Sequence, residues 1–441
     1  MIKLTGRAAE QRTIMAATDL ALKNCRVLDV FAGVVETDCC VLIRGGRIEE
    51  VATNGAKLST EVGPSCMEVD LAGKVVCPGL CDAHVHATAN TANLPGLLTQ
   101  PESLVAVKAA NILRGMLDRG FTTVRDCGGA DWGLALGIEE GEVAGPRLLF
   151  TGHALSQTGG HGDMRGKGEQ CFACGAALRG IGRVCDGVAE VRKAARDEIR
   201  KGAHCIKVMA SGGVSSPTDR LANTQFSVEE LEAIVEEAEA AGSYVCAHAY
   251  TPKAIVRALR AGVRSIEHGN FLDAECAREM ATRGAFLVST TITYHALKSE
   301  GEKAGMAPDL VQKVGDLVER GLESIQLADN HGVKMCYGSD LLGAMHCHQL
   351  KELELRRRVQ EPIEILRSAT VNCAELFGMQ GLIGEVAPGH FADLLVLSFD
   401  PLVEFEKLYE GDNVEAVFKE GRLVKLSLVS GSPLQALRQV L

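Results

Sequence analysis

No stretch of the 441-residue chain runs for about 18 apolar residues without interruption, the length a membrane-spanning helix needs, so no helical span is expected. Positive charge is in deficit: 46 Lys and Arg against 57 Asp and Glu leave a formal net charge of −11, which argues against a nucleic-acid partner. Met1 to Asp19 lacks the continuous apolar core of a secretory leader. Internal repeats and low-complexity tracts are missing apart from one glycine-rich loop. Cysteine is plentiful, but a disulfide framework is not. Sixteen cysteines are scattered through apolar strands and helices, the pattern of reduced core residues in a cytoplasmic protein. What the chain does have is 46% hydrophobic content, enough to bury a large core.

That apolar content falls into eight short runs, near residues 78–86, 121–126, 147–152, 204–209, 243–248, 263–268, 286–290 and 334–340. Helical stretches separate most of them. Ser103 to Asp118 and Val188 to Lys201 are amphipathic, and Val228 to Ala241 follows the capping box Ser227-Val228-Glu229-Glu230. Thr251-Pro252 opens a further helix as N-cap and first residue, and Gly262 stops it. Alternating strands and helices over about 300 residues fit an α/β fold, a (β/α)₈ TIM barrel whose functional residues gather at the C-terminal ends of the strands.

Potential metal ligands stand at those ends. Val75 to Val85 is an apolar run that closes in His84-Val85-His86, and residues two apart on a strand face one side, so both imidazoles can reach one ion. Lys207 lies in Cys205-Ile206-Lys207-Val208-Met209, otherwise apolar as a strand buried on both faces should be. Burial favours its neutral amine, which can take up carbon dioxide to form an anionic carbamate; the alternatives are a carboxylate partner or a side chain that snorkels out. His248 and His268 end consecutive strands, and Asp340 ends the last.

The order His-x-His on strand one, Lys on strand four, His on five, His on six and Asp on eight resembles the amidohydrolase superfamily in its binuclear form. Gly160-His161-Gly162-Asp163, Lys207 to Gly213 and Ile266-Glu267-His268-Gly269 are similar to its imidazolonepropionase-like branch, which holds Xaa-Pro dipeptidases, other metal-dependent carboxypeptidases and ochratoxin-hydrolysing amidases. The ligand spacings most resemble the last group. The resemblance implies two divalent ions per chain. His84, His86 and Asp340 would hold one, His248 and His268 the other, and carboxylated Lys207 would bridge them together with a hydroxide. Zinc suits these donors, as do cobalt and manganese. Asp340 would take the hydroxide's proton during attack on an amide carbonyl and return it to the leaving amine. The expected substrate is a small amide: an ochratoxin-type aryl amide of an amino acid, an N-acyl amino acid or a dipeptide.

Alternatives are an Xaa-Pro dipeptidase or carboxypeptidase, a cyclic-amide hydrolase or deaminase of the same fold, and a silent scaffold. Lys207 counts against the deaminase form, and so does the lack of an acid in His248-Ala249-Tyr250-Thr251. Substrate contacts are expected from His161 and Tyr250, with Arg165, Tyr294 and His346 also in strand-end loops. Ser156 to Gly187 carries nine glycines and is expected to be a lid or a substrate wall. Within it Cys171-Phe172-Ala173-Cys174, with Cys185 beyond, has no second Cys-x-x-Cys to complete a zinc site.

Strand-like runs flank the barrel: Leu20 to Asp29, Cys40 to Ile48, Gly384 to Leu397 and Val414 to Val424. With nothing else to cover them, they should pair into a small composite β-sandwich. The expected domains are therefore 1–77 and 381–441 as the two halves of the sandwich and 78–380 as the barrel. Barrels of this kind often assemble, so a homo-oligomer is expected.

Overall fold

The structure, a computed structural model, describes residues 19–169, 180–427 and 434. The N-terminal segment supplies β1 (Leu20–Asp29), β2 (Val34–Arg44), β3 (Arg47–Ala52), β4 (Met67–Asp70) and β5 (Val75–Pro78). A one-residue step at Gly79 then turns the chain into β6 (Leu80–Val85). Two more parallel strands follow, β7 (Phe121–Asp126) and β8 (Arg147–Phe150), and β6-β7-β8 form a three-stranded sheet. The strand expected over 147–152 is cut short, because the chain bends at Gly152 (φ 68°) and pairs again as β9 (Ala154–Ser156).

The glycine-rich loop is thus partly strand. Its far side, β10 (Gly182–Val184), lies parallel to β9, with Gly182 opposite Ala154. Residues 170–179, including Cys171 and Cys174, lie outside the described residues. Next come β11 (Ile206–Met209), β12 (Val245–Ala249), β13 (Ser265–His268), β14 (Phe286–Ser289) and β15 (Lys334–Tyr337). These make a seven-stranded parallel sheet in the order β10-β9-β11-β12-β13-β14-β15.

Backbone hydrogen bonds join the two parallel sheets in two places, just before β11 and just beyond β15. His204 N donates to Phe150 O at 2.8 Å on one side, and Asp340 N donates to His84 O at 2.8 Å on the other. The arrangement is α/β and TIM-barrel-like. Two of the helices between strands begin at side-chain caps. Ser227 and Glu230 close a reciprocal capping box on Val228–Ala240, and Thr251 caps Pro252–Arg260 through Ala254 N. Gly262 (φ 99°) takes the conformation that ends the second of these.

The C-terminal strands β16 (Leu394–Leu397), β17 (Val414–Lys419) and β18 (Arg422–Leu426) join the N-terminal ones in one eight-stranded sheet, through β16 antiparallel to β5. The alternation along β16 shows why it holds a central place. Leu394 and Val396 pack with Leu20, Leu22 and Val41, while Leu395 and Leu397 pack on the other side with Leu117 and Phe121. Among the described residues no helix is long and apolar enough to cross a membrane.

Candidate metal centre

The six residues expected as ligands come together at the C-terminal ends of the parallel strands. His84 and His86 end β6, Lys207 is inside β11, and His248 lies in β12. His268 and Asp340 need more than strand alternation. Ser265 and Glu267 share a face, with Ser265 Oγ donating to Glu267 Oε1 at 2.7 Å, so a regular strand would turn His268 away from them. His268 instead adopts φ 75°, and Asp340, three residues beyond β15, adopts φ 49°. Left-handed backbone is uncommon outside glycine, although Asp and His adopt it more readily than most residues, and at both positions it accompanies a side chain turned into the cluster. Asp82 braces the neighbouring turn, accepting from Ser339 N at 3.1 Å, Ser339 Oγ at 2.6 Å and Gln349 Nε2 at 2.9 Å.

Asp340 Oδ1 stands 3.2 Å from His86 Nε2 and 3.6 Å from His84 Nε2, and Asp340 Oδ2 is 3.9 Å from His268 Nδ1. Lys207 Nζ is 3.5 Å from His84 Nε2. The His248 and His268 rings are 4.6 Å apart, and those of His84 and His268 are 4.9 Å apart. One potential ligand atom each from His84, His268 and Asp340 lie within 4.8 Å of one another. Burial pushes His84 and His248 well below the usual imidazole range and His268 to about 3. Burial also acts against charge on His86 and Asp340, but contact with Asp340 raises His86 to about 9, and His84, His86 and His268 together hold Asp340 low.

A metal needs each imidazole to keep one nitrogen free while the other is held. That test is met four times. His84 Nδ1 contacts Glu267 Oε2 at 2.8 Å, His86 Nδ1 donates to Gly128 O at 2.9 Å, His248 Nε2 to Gly212 O at 3.1 Å, and His268 Nδ1 contacts Thr290 Oγ1 at 2.8 Å. The second ring nitrogens of His84 and His86 face Lys207 Nζ at 3.5 Å and Asp340 Oδ1 at 3.2 Å, groups that would themselves hold an ion, and the borderline donor set suits a divalent transition metal.

These supporting groups were not singled out from the sequence. Glu267 is itself held by Arg125, whose Nη2 donates to Glu267 Oε1 at 2.8 Å and whose Nε donates to Ala83 O at 2.7 Å. Both are fully buried. An arginine in the apolar run Phe121–Asp126 and a glutamate in Ser265–His268 were the available signals, since buried charges must be paired.

Above the cluster is a cleft walled by Leu94, Ile181, Val214, Leu297 and Leu342. His161, Tyr250 and Tyr294 line it with the six ligand residues. The His161 ring stacks on that of His248 at 4.2 Å, and Tyr294 Oη donates to Tyr250 Oη at 2.8 Å. Arg165 and His346 are not among the lining residues. Arg165 clamps Asp163 through two hydrogen bonds of 2.8 and 2.6 Å, and His346 is buried with its Nε2 on Ala89 O at 3.3 Å. Cys185 is a buried free thiol.

An imidazole and carboxylate cluster at the strand ends of a TIM-barrel-like fold defines a class, the metal-dependent hydrolases. Comparison narrows it. The profile of the Amidohydrolase family matches residues 75–424, and the chain belongs to that family; it is a hydrolase acting on carbon–nitrogen bonds. Ochratoxinase of Aspergillus niger is 35% identical over 369 residues, covering 80% of this chain and 76% of that protein. A prolidase crystallised with N-methylphosphonate-L-proline is 49% identical, with a TM-score of 0.90 over 93% of this chain and 100% of its own. A Xaa-Pro dipeptidase with bound methionine is 26% identical, with a TM-score of 0.79 over 92% of this chain and 99% of its own.

Proposed function

We propose that the chain hydrolyses a peptide-like amide whose leaving group is an amino acid, using two divalent ions, zinc by donor preference. In this reading β6 to β8 and β11 to β15 form the (β/α)₈ barrel of residues 78–380, and 1–77 with 381–441 form the composite sandwich. His84, His86 and Asp340 hold one ion, His248 and His268 the other, and Lys207 carries a carboxylate on Nζ between them.

Lys207 is the observation that carries the proposal. It is 1% exposed, its Nζ stands 3.5 Å from the His84 Nε2 nitrogen, and among the described residues no carboxylate forms an ion pair with it. A bare ammonium so placed is costly, whereas a carbamate supplies an anion matched to cations. When bound, the ions lower the pKa of water and polarise a carbonyl oxygen.

The chain's own side chains do the rest. Asp340 takes a proton from the attacking water at its carboxylate and passes it to the leaving nitrogen, which spares the reaction an amide anion. Tyr250 accepts from Tyr294, so its own O–H is left to donate to the substrate carbonyl oxygen. The apolar wall keeps bulk water from these polar groups. His161 meets the remainder of the substrate.

Proline dipeptides are the favoured substrates, supported by the 49% identity to the prolidase crystallised with N-methylphosphonate-L-proline. An ochratoxin-type aryl amide is the second reading, supported by the 35% identity to ochratoxinase. The cytoplasm and a homo-oligomer complete the proposal; free thiols at 14 described cysteines support that compartment. The test is a screen of Xaa-Pro dipeptides, N-acyl amino acids and ochratoxin-like aryl amides against zinc-loaded enzyme. Cleavage that chelation stops and zinc restores is expected. Failure to cleave any of the three classes overturns the reading.

A further inference from the structure

His161 is held by a relay of loop residues that the reaction as described does not use. Its Nδ1 is 2.7 Å from Ser216 Oγ, and Ser216 Oγ donates in turn to Asp219 Oδ1. Asp219 Oδ2 accepts from Gln225 Nε2 at 2.9 Å and from Gly213 N at 3.2 Å. Gln225 also accepts from His161 N at 2.8 Å through its Oε1. Lys313 ties the loop from outside, donating to the carbonyls of Ser216 at 2.7 Å and Asp219 at 3.1 Å. The loop also fits the ring closely: a Cβ on Gly213 would stand 2.2 Å from His161 Cε1. Ser216 and Asp219 are buried, and neither lines the cleft.

Proton counting gives this chain of contacts a direction. A carboxylate only accepts, and a serine hydroxyl has one proton to give. Ser216 gives that proton to Asp219, so toward His161 it is an acceptor, and the ring proton must sit on Nδ1. Nε2, with no hydrogen-bond partner among the described residues, is then the bare nitrogen. We propose that Asp219, acting through Ser216, is a positioning residue that fixes this tautomer of His161, so that the cleft selects amides carrying a hydrogen-bond donor, such as the α-ammonium group of an unblocked dipeptide. The inference rests on reading the cleft as an amide-substrate site. It deepens that reading by assigning His161 to the amino end of the substrate rather than to its carboxylate.

Two measurements on the zinc-loaded holoenzyme test it. Nitrogen-15 NMR, with the His161 signals assigned by loss in His161→Gln, reads the tautomer directly. A proton-bearing Nδ1 and a bare Nε2 are expected; the opposite tautomer overturns the proposal. The kinetic probe is alanyl-proline against propanoyl-proline, which differ only in the amino group. Wild type should prefer alanyl-proline by about 10-fold or more in kcat/KM, the scale of one charge-assisted hydrogen bond. Ser216→Ala and Asp219→Asn should cut the preference to about 3-fold or less, mainly by raising KM for alanyl-proline, while Ser216→Thr should keep it. An unchanged preference in both variants overturns the proposal. If neither compound is cleaved, the substrate reading fails instead, and the NMR result still decides the tautomer.

Discussion

Beneath the cleft, His84 is held by Glu267 and Glu267 by Arg125, all three buried in strands β6, β13 and β7. At its mouth, His161 is held by Ser216 and Ser216 by Asp219, residues of the loop that follows β11. Both are three-membered chains that start at an imidazole, the lower running through a carboxylate to an arginine and the upper through a hydroxyl to a carboxylate, and they are anchored differently. The lower one ends in an arginine that also grips Ala83 O, Ser265 and Tyr244, so moving any member disturbs three strands, β6, β7 and β13, and the residue that precedes β12. The upper one ends in loop contacts from Gln225, Gly213 and Lys313. The strand-borne chain can therefore set the position of a metal ligand with little give, while the loop-borne chain can change which substrate is accepted without disturbing the fold.

Substitutions should separate the two. Lys207→Ala and Asp340→Asn, which strike between them, should lower kcat about 10³-fold or more on any amide that wild type cleaves; steady-state kinetics checks this. Arg125→Met comes next. It leaves Glu267 buried without its counter-charge and should cost about 3–5 kcal/mol in urea unfolding. Ser216→Ala at the mouth should cost far less stability by the same measurement, and similar costs at the two sites would erase the distinction drawn here.

A buried carboxyl outside both chains should make stability depend on pH. Burial, partly offset by Arg356, raises Glu352 to about 7 from an ordinary value of 4.5. Its folded form holds the proton more tightly, so its contribution is fully present below pH 4.5 and is lost as pH rises through 7. Relative to Glu352→Gln, wild type should lose up to about 3 kcal/mol across that window, read as the difference between the two Tm-against-pH curves. The smallest effect is expected at Ser227→Ala, which removes one partner of the capping box on Val228–Ala240 and should cost about 1 kcal/mol in urea unfolding.

The same contrast explains what the sequence revealed. Strand-end ligands were legible because each closes an apolar run, and the runs before His84, Lys207, His248 and His268 all fall on strands of the fold. Glu267 stood in view beside His268, but its partner His84 is 183 residues away, and the contact depends on which face each strand turns inward. The positive φ at His268 and Asp340 has no sequence mark, since neither residue is glycine. Ser216 and Asp219 were missed for a further reason: a loop without periodicity gives no facing rule, and only folding brings it against the Gly160-His161 turn. Arg165 illustrates the converse. Its place in a strand-end loop left a substrate contact open beside an ordinary wall or surface role, and Asp163, two residues earlier, engages its guanidinium.

The central claim is a two-ion site organised by Lys207, and metal content per chain tests it most directly. Elemental analysis of zinc-reconstituted, desalted protein should find about two zinc ions in wild type and at most about one in Lys207→Ala. About two ions retained in Lys207→Ala, or no more than one in wild type, would contradict it.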